Sequence, residues 1–311
     1  MAVRARLLTT LARLAGHFNV VRRADADSRH GEIALLSDGE WFARNVAAAT
    51  IDESREADSA DGLVPLLPAA ADQIRFTGRA GKENLEQAFE FYKFCRDAIA
   101  QSGSISSHDK ILDFGCGWGR IARFWLRDVR PTSLWCVDCL TDAIVLLKQT
   151  RIRAHVVQNA ALPPIAGEIG KFRLIYAFSV FSHLSEQTAH AWIEYFAGLL
   201  AQDGMLIVTT RGRNYLDTLE HLRAVPPQDF HQQDLIRRAP PQAEIERRYA
   251  AGEFVFFGTG GGGELHEDFY GEAIIPPRYA SKFEQFGLRL ESFREDVPLI
   301  DQAVIVLRKL G

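Results

Sequence analysis

The sequence predicts an α/β protein built on a doubly wound, mostly parallel sheet with an antiparallel last strand. Three observations carry this reading. KILDFGCGWGR, Lys110 to Arg120, packs a strand, a glycine turn and a helix start into eleven residues. From Lys110 onward short apolar runs alternate with stretches of helical periodicity, the pattern of parallel strands joined by crossover helices. The chain then ends on two apolar runs, Leu288 to Phe293 and Ala303 to Leu307, near enough to pair antiparallel.

Taken in order, residues 1–105 are expected to form an N-terminal helical arm packed on the core. MAVRARLLTTLARLAG reads as an amphipathic helix, because Arg13 interrupts the apolar run and no small-residue cleavage site follows. Asp27 to Gly31, Asp52 to Asp61, Pro65 and Pro68 mark turns. After DQIRFTGRAG comes a strong helix with Leu85, Ala88, Phe89, Tyr92, Cys95 and Ile99 on one face and Gly103 as its stop. Such a stripe has to be buried against something, and the first core strand follows it directly.

Residues 106–311 then hold the sheet. The second strand is expected at Ser133 to Val137 with its helix at Thr141 to Thr150, and the third at Ala154 to Gln158. Leu174 to Val180 is almost wholly apolar, as a strand buried on both faces should be. A helical stripe at His190 to Leu200 and an Asp203-Gly204 turn lead to a fifth strand, Met205 to Thr209. The insertion that follows, about 214–279, is far longer than a usual connection. It carries Tyr249, Phe254, Phe256 and Phe257, then GTGGGGELHEDFYGE. It is expected to cap an acceptor pocket, with Gly260 to Gly263 as a flexible flap and Phe257, His266, Glu267, Asp268 and Tyr270 available to a ligand.

Composition narrows the function. The 311 residues are 47 % hydrophobic, enough for a sizeable core, and the net charge of −4 gives no electrostatic footprint for nucleic acid. No apolar run reaches the roughly 18 residues of a transmembrane segment. Four cysteines are too few for a disulfide framework and fit a reducing cytoplasm. Cys136 and Cys139 are spaced as CxxC, but no second pair completes a zinc site and Cys136 falls in a strand. His266 with Asp268 or His183 offers ligand atoms, yet no spacing demands a metal, and none is expected.

The glycine turn is a cofactor cradle. Asp113 closes the strand, and Gly115, Gly117 and Gly119 alternate after it. A dinucleotide fingerprint would need a third glycine where Arg120 stands, which disfavours an NAD-linked oxidoreductase. An acid two residues before alternating glycines resembles the first motif of the class I S-adenosylmethionine-dependent methyltransferases, and the later motifs follow in the family's order. Asp138 ends the second strand, 25 residues after Asp113, where a carboxylate accepts ribose hydroxyls. HVVQNAALPP resembles the stretch that caps the adenine, with Asn159 where the family usually has Asp. FRLIYAFSVFSHL resembles the fourth motif, with Arg173 in place of its usual acid. The resemblance covers about two-thirds of the chain. It implies a Rossmann-like fold, S-adenosyl-L-methionine as cofactor, and cofactor contacts from Asp113, Gly115, Cys116, Gly117, Asp138, Leu140, Asn159 and Phe178.

A sulfonium methyl is already activated, so the protein has to align an acceptor and exclude water. A hydroxyl acceptor also gains from a base. His183, just past the fourth strand at the sheet edge where such folds bind ligands, is the candidate, with His266 next. The expected reaction is methyl transfer to a hydroxyl, or an amine, of a small molecule or glycan. A cofactor-binding but inactive partner subunit stays open as an alternative. The acceptor and the oligomeric state are not readable from these residues.

Overall fold

A computed structural model describes residues 30–51, 64–167, 169–227, 230–259 and 265–311. The predicted helix at the extreme N-terminus, the Asp52 to Asp61 turn and the Gly260 to Gly263 flap lie outside the described residues.

The arm includes three helices that pack on the sheet. α1, Asp38–Val46, starts on a capping box in which Ser37 and Glu40 satisfy each other's backbone amides. α2, Ala70–Thr77, ends on Gly78 in the left-handed conformation. α3, Gly81–Ala100, buries the predicted stripe Leu85, Ala88, Phe89, Tyr92, Cys95 and Ile99. These helices share one hydrophobic core with a face of the sheet. Trp41 is fully buried and its indole N–H donates to the Phe124 carbonyl at 2.9 Å. Arg96 and Arg127 both reach Asp38, at 2.6 and 2.7 Å.

The sheet has seven strands: β1 Ile111–Phe114, β2 Leu134–Asp138, β3 His155–Gln158, β4 Phe172–Ala177, β5 Leu200–Thr210, β8 Leu288–Arg294 and β9 Ala303–Lys309. Their spatial order is β3-β2-β1-β4-β5-β9-β8. β1 to β5 pair in parallel, and β9 runs antiparallel to both β5 and β8. The crossover helices are α4 Ala122–Trp125, α5 Thr141–Gln149 and α6 Glu186–Leu199. Alternation along the strands splits the core: Ile111, Leu174 and Ile207 face the arm, while Leu112, Ile175 and Val208 face α6.

Two boundaries differ from expectation for visible reasons. β4 stops at Ala177 rather than Val180, because Ser179 turns to φ 59° and its N–H goes to the Thr209 hydroxyl at 2.7 Å. β5 starts at Leu200, ahead of the Asp203 turn, because Leu200 pairs with Phe172 across a register shift. Arg173 spans the gap between layers, donating to the Asp203 carbonyl at 2.8 Å and to Ser102 at 2.8 and 3.1 Å. A tie between α3's end and the sheet accounts for a cation at a position where an acid was expected.

The insertion is folded. It comprises α7 Arg213–Ala224, α8 Phe230–Arg238, α9 Gln242–Ala251 and the strands β6 Val255–Gly258 and β7 Gly271–Ile274, followed by the short helix α10 Pro277–Ala280. β6 and β7 pair antiparallel, and a satellite core of Leu216, Leu219, Ile245, Val255 and Phe257 fills the space beneath them. β7 is tied to the loop after β4: the Gly271 and Ala273 amides each donate at 2.8 Å to the carbonyls of His183 and Ser182. Among the described residues no helix is long and apolar enough to cross a membrane.

Candidate active site

A cavity of about 400 Å³ opens at the carboxyl ends of β1, β2 and β4, where the strand order reverses between β1 and β4. That switch point is where open α/β sheets bind ligands, since the loops on either side diverge.

The glycine loop forms its floor. Gly115 sits at φ 72°, and a Cβ there would stand 2.2 Å from Val180 Cγ2, so only glycine lets the loop pass under the segment after β4. Gly117, at φ 52°, has open space where a Cβ would point. Asp138 ties this loop to β2: its two carboxylate oxygens accept from the Gly117 and Leu140 amides, both at 2.9 Å. Burial raises the Asp138 carboxyl above its ordinary range, and those amides oppose the rise.

The buried polar atoms without a partner include two oxygens on this lining. Asp113 is 2 % exposed and its Oδ2 accepts no hydrogen bond. Burial pushes its carboxyl up to about 7, with the Asp138 charge adding and the neighbouring Tyr176 and Arg120 opposing. Asn159 spends its amide N–H on the Ala160 carbonyl at 2.6 Å, which leaves a buried Oδ1 with nothing to accept. An orphaned polar atom in a folded interior calls for a donor from outside the chain.

The opposite wall brings together residues from distant parts of the sequence. His183 Nδ1 lies 2.8 Å from the Gly271 carbonyl and 3.5 Å from Glu272 Oε1. Both neighbours are acceptors, so Nδ1 carries the hydrogen and the lone pair of the neutral ring sits on Nε2. The His183 ring stacks on Tyr270, with centroids 5.1 Å apart and planes 13° apart. Glu272, nearly sealed from solvent, is also held by Arg211 Nε at 2.9 Å. Burial, with the Glu272 charge adding, pushes the Tyr270 phenol up to about 12, so it stays protonated near neutrality.

The cavity lining includes Asp113, Gly115, Cys116, Gly117, Asp138, Leu140, Asn159, Phe178, His183 and Tyr270 from the sequence prediction. Four other predicted residues, His266, Glu267, Asp268 and Phe257, do not reach it, and Glu267 pairs instead with Arg238 at 2.6 Å. His266 and Asp268 pair with each other at 3.2 Å with side chains 69 % and 87 % exposed, because they sit in the turn before β7 and face solvent. Phe257 alternates inward on β6 and is consumed by the satellite core. Among the described residues no group of His, Cys, Asp and Glu could hold a metal ion.

Several lining residues were not among the predicted site residues: Arg120, Ser179, Arg211, Asp301 and Gln302. Arg211 had a usable signal, since it directly follows the fifth strand. Asp301 and Gln302 had a subtler one: β9 is antiparallel, so its start, not its end, lies at the carboxyl edge of the parallel strands. Gln302 closes a ring of contacts there, accepting from the Thr209 hydroxyl at 2.6 Å and donating to Ser179 Oγ at 2.9 Å.

Residues 112–206 match the family model of a methyltransferase domain. No curated protein sequence is significantly similar to the chain. Among solved structures, the chain is similar to DesVI of Streptomyces venezuelae at 15 % identity, covering 83 % of this chain and 100 % of that one, with a TM-score of 0.48. It is similar to the magnesium protoporphyrin IX methyltransferase of Synechocystis PCC 6803 at 11 % identity, over 77 % and 93 %, with a TM-score of 0.48. A methyltransferase from Clostridium acetobutylicum matches at 12 % identity, over 71 % and 92 %, with a TM-score of 0.46.

The residues lining the cavity fit S-adenosylmethionine, the cofactor that the sequence resemblance implies. Asn159 Oδ1 suits the amino group of an adenine, which resolves the Asn-for-Asp departure because the free atom is an acceptor in either case. The unpartnered Asp113 oxygen suits an ammonium. The open face of Gly117 suits a ligand lying on backbone.

Proposed function

We propose that this chain, a class I S-adenosylmethionine-dependent methyltransferase, methylates a hydroxyl of a small polar acceptor such as a sugar or a phenol, with His183 as general base. The observation that carries the reading is the pairing of His183 Nδ1 with the Gly271 carbonyl and Glu272 at the cavity wall. It fixes the tautomer with a basic Nε2, and the Glu272 carboxylate stabilises the imidazolium that forms when a hydroxyl gives up its proton.

The bound cofactor supplies a methyl group made electrophilic by a sulfonium. The chain does the rest. Asn159, Asp138 and Asp113 hold the cofactor's adenine, ribose and amino-acid parts. Phe76 from α2, Phe269 and Leu265 line the same cavity and shield it from water. Arg79, Asp301 and Gln302 offer polar contacts beside the aromatic Tyr270 and Phe269, a mixture that suits hydroxylated rings. Because α2, α3 and the turn between them supply Phe76, Thr77, Arg79 and Gln87 to the lining, we take residues up to about 105 as an arm completing the site of a 106–311 domain, with 214–279 as its cap. All four cysteines are free, in keeping with a reducing cytoplasm.

The test is release of S-adenosylhomocysteine across a panel of monosaccharides, nucleotide sugars, phenols and amines. Turnover should be confined to hydroxylated acceptors, and His183→Gln should lower it by about 10²–10⁴ without changing cofactor affinity, the worth of a positioned base. Turnover on amines alone would reject the acceptor class, and undiminished turnover in His183→Gln would reject the base.

A further inference from the structure

Arg120 stands where a dinucleotide-binding loop would have its third glycine. Its side chain is 8 % exposed, yet it borders the cavity. Only Nη1 is engaged by the protein, donating to the Asn84 side-chain oxygen at 3.0 Å, the Asn84 carbonyl at 3.3 Å and the Gln87 side-chain oxygen at 3.0 Å. All three are neutral oxygens. No carboxylate lies within ion-pair distance of this guanidinium among the described residues, and Nε and Nη2 have no protein partner there. The guanidinium carbon lies over the Phe178 ring, 4.7 Å from its centre.

A buried cation without a counter-charge is expensive, and arginine's fork matches a carboxylate with two parallel hydrogen bonds. We infer that Arg120 is the carboxylate-binding residue of the cofactor site: its unengaged N–H groups take the carboxylate of the amino-acid tail while Asp113 takes the ammonium. The two residues flank the same glycine loop, Asp113 next to the end of β1 and Arg120 two residues before α4. A buried acid and a buried base seven residues apart present the charge pattern of a zwitterion, which neither alone would recognise. Burial holds the Arg120 guanidinium down to about 10, still charged at neutral pH, and the Asp113 and Asp301 charges oppose that fall. The assignment does not depend on what the acceptor is.

Titration calorimetry with two thioethers tests it without turnover. S-adenosylhomocysteine carries both tail charges, and its decarboxylated analogue, S-adenosyl-3-thiopropylamine, lacks only the carboxylate. The wild-type protein should bind the first about 10- to 100-fold more tightly, the worth of charge-assisted hydrogen bonds. Arg120→Gln should bind the two within about threefold of each other, chiefly by weakening toward S-adenosylhomocysteine. Equal affinity for both ligands in the wild type would overturn the proposal whether or not the variant folds. So would an Arg120→Gln protein that keeps the full discrimination, which would hand the carboxylate to backbone amides. A variant that loses the same factor for both ligands would make Arg120 a structural strut and overturn it as well.

Discussion

Lowering the pH from 8 to 6 should weaken S-adenosylhomocysteine binding about tenfold through a single group, Asp113. The carboxyl is 2 % exposed, its Oδ2 has no partner, and burial raises it from the usual 3.8 to about 7. It is surrounded by Asp138 from β2, Tyr176 from β4, Arg120 from the glycine loop and Cys95 from α3. An ammonium binds the ionised form. With a pKa near 7 the ionised fraction falls from about 0.9 at pH 8 to about 0.1 at pH 6, and each tenfold step is about 1.4 kcal/mol. The assay is calorimetric titration at pH 6, 7 and 8 at constant ionic strength, with Asp113→Asn as the control that cannot titrate. Stability moves the opposite way. The folded pKa lies above the unfolded one, so this group's contribution is fully present below pH 3.8 and is lost as pH rises through about 7. The loss amounts to about 4 kcal/mol in the free protein. Asp113→Asn should therefore melt higher than wild type at pH 8 while binding cofactor more weakly. A wild-type affinity that is flat from pH 6 to 8, or an Asp113→Asn protein with the same slope, would refute the argument.

Two further outcomes follow from single contacts. Asp138→Ala removes the acceptor for the Gly117 and Leu140 amides as well as a ligand contact, so calorimetry should show cofactor binding weakened by about 1.5–3 kcal/mol; unchanged affinity in a folded variant would take Asp138 out of the site. Trp41→Ala empties a fully buried indole and frees the Phe124 carbonyl, which should cost about 3–5 kcal/mol in denaturant unfolding, whereas a loss under about 1 kcal/mol would show α1 to be peripheral to the fold.

The features legible in the residues alone were local and periodic. Alternate glycines after Asp113 specify a turn that no Cβ would allow, a period of 3.6 places Leu85 to Ile99 on one face, and apolar runs mark the buried strands. Each needs only neighbouring residues, so each is written where it can be read. The cofactor half of the site belongs to this class because Asp113, Asp138 and Asn159 end successive strands. The other half was decided by tertiary structure. His183, Glu272, Arg211 and Gln302 meet across up to about 120 residues of chain because β7 hydrogen-bonds to the loop after β4 and β9 runs backwards. No periodicity encodes such a meeting. For the same reason His266 and Asp268 have ligand-like chemistry in sequence yet point to solvent, since a turn's direction depends on what its flanking strands pack against.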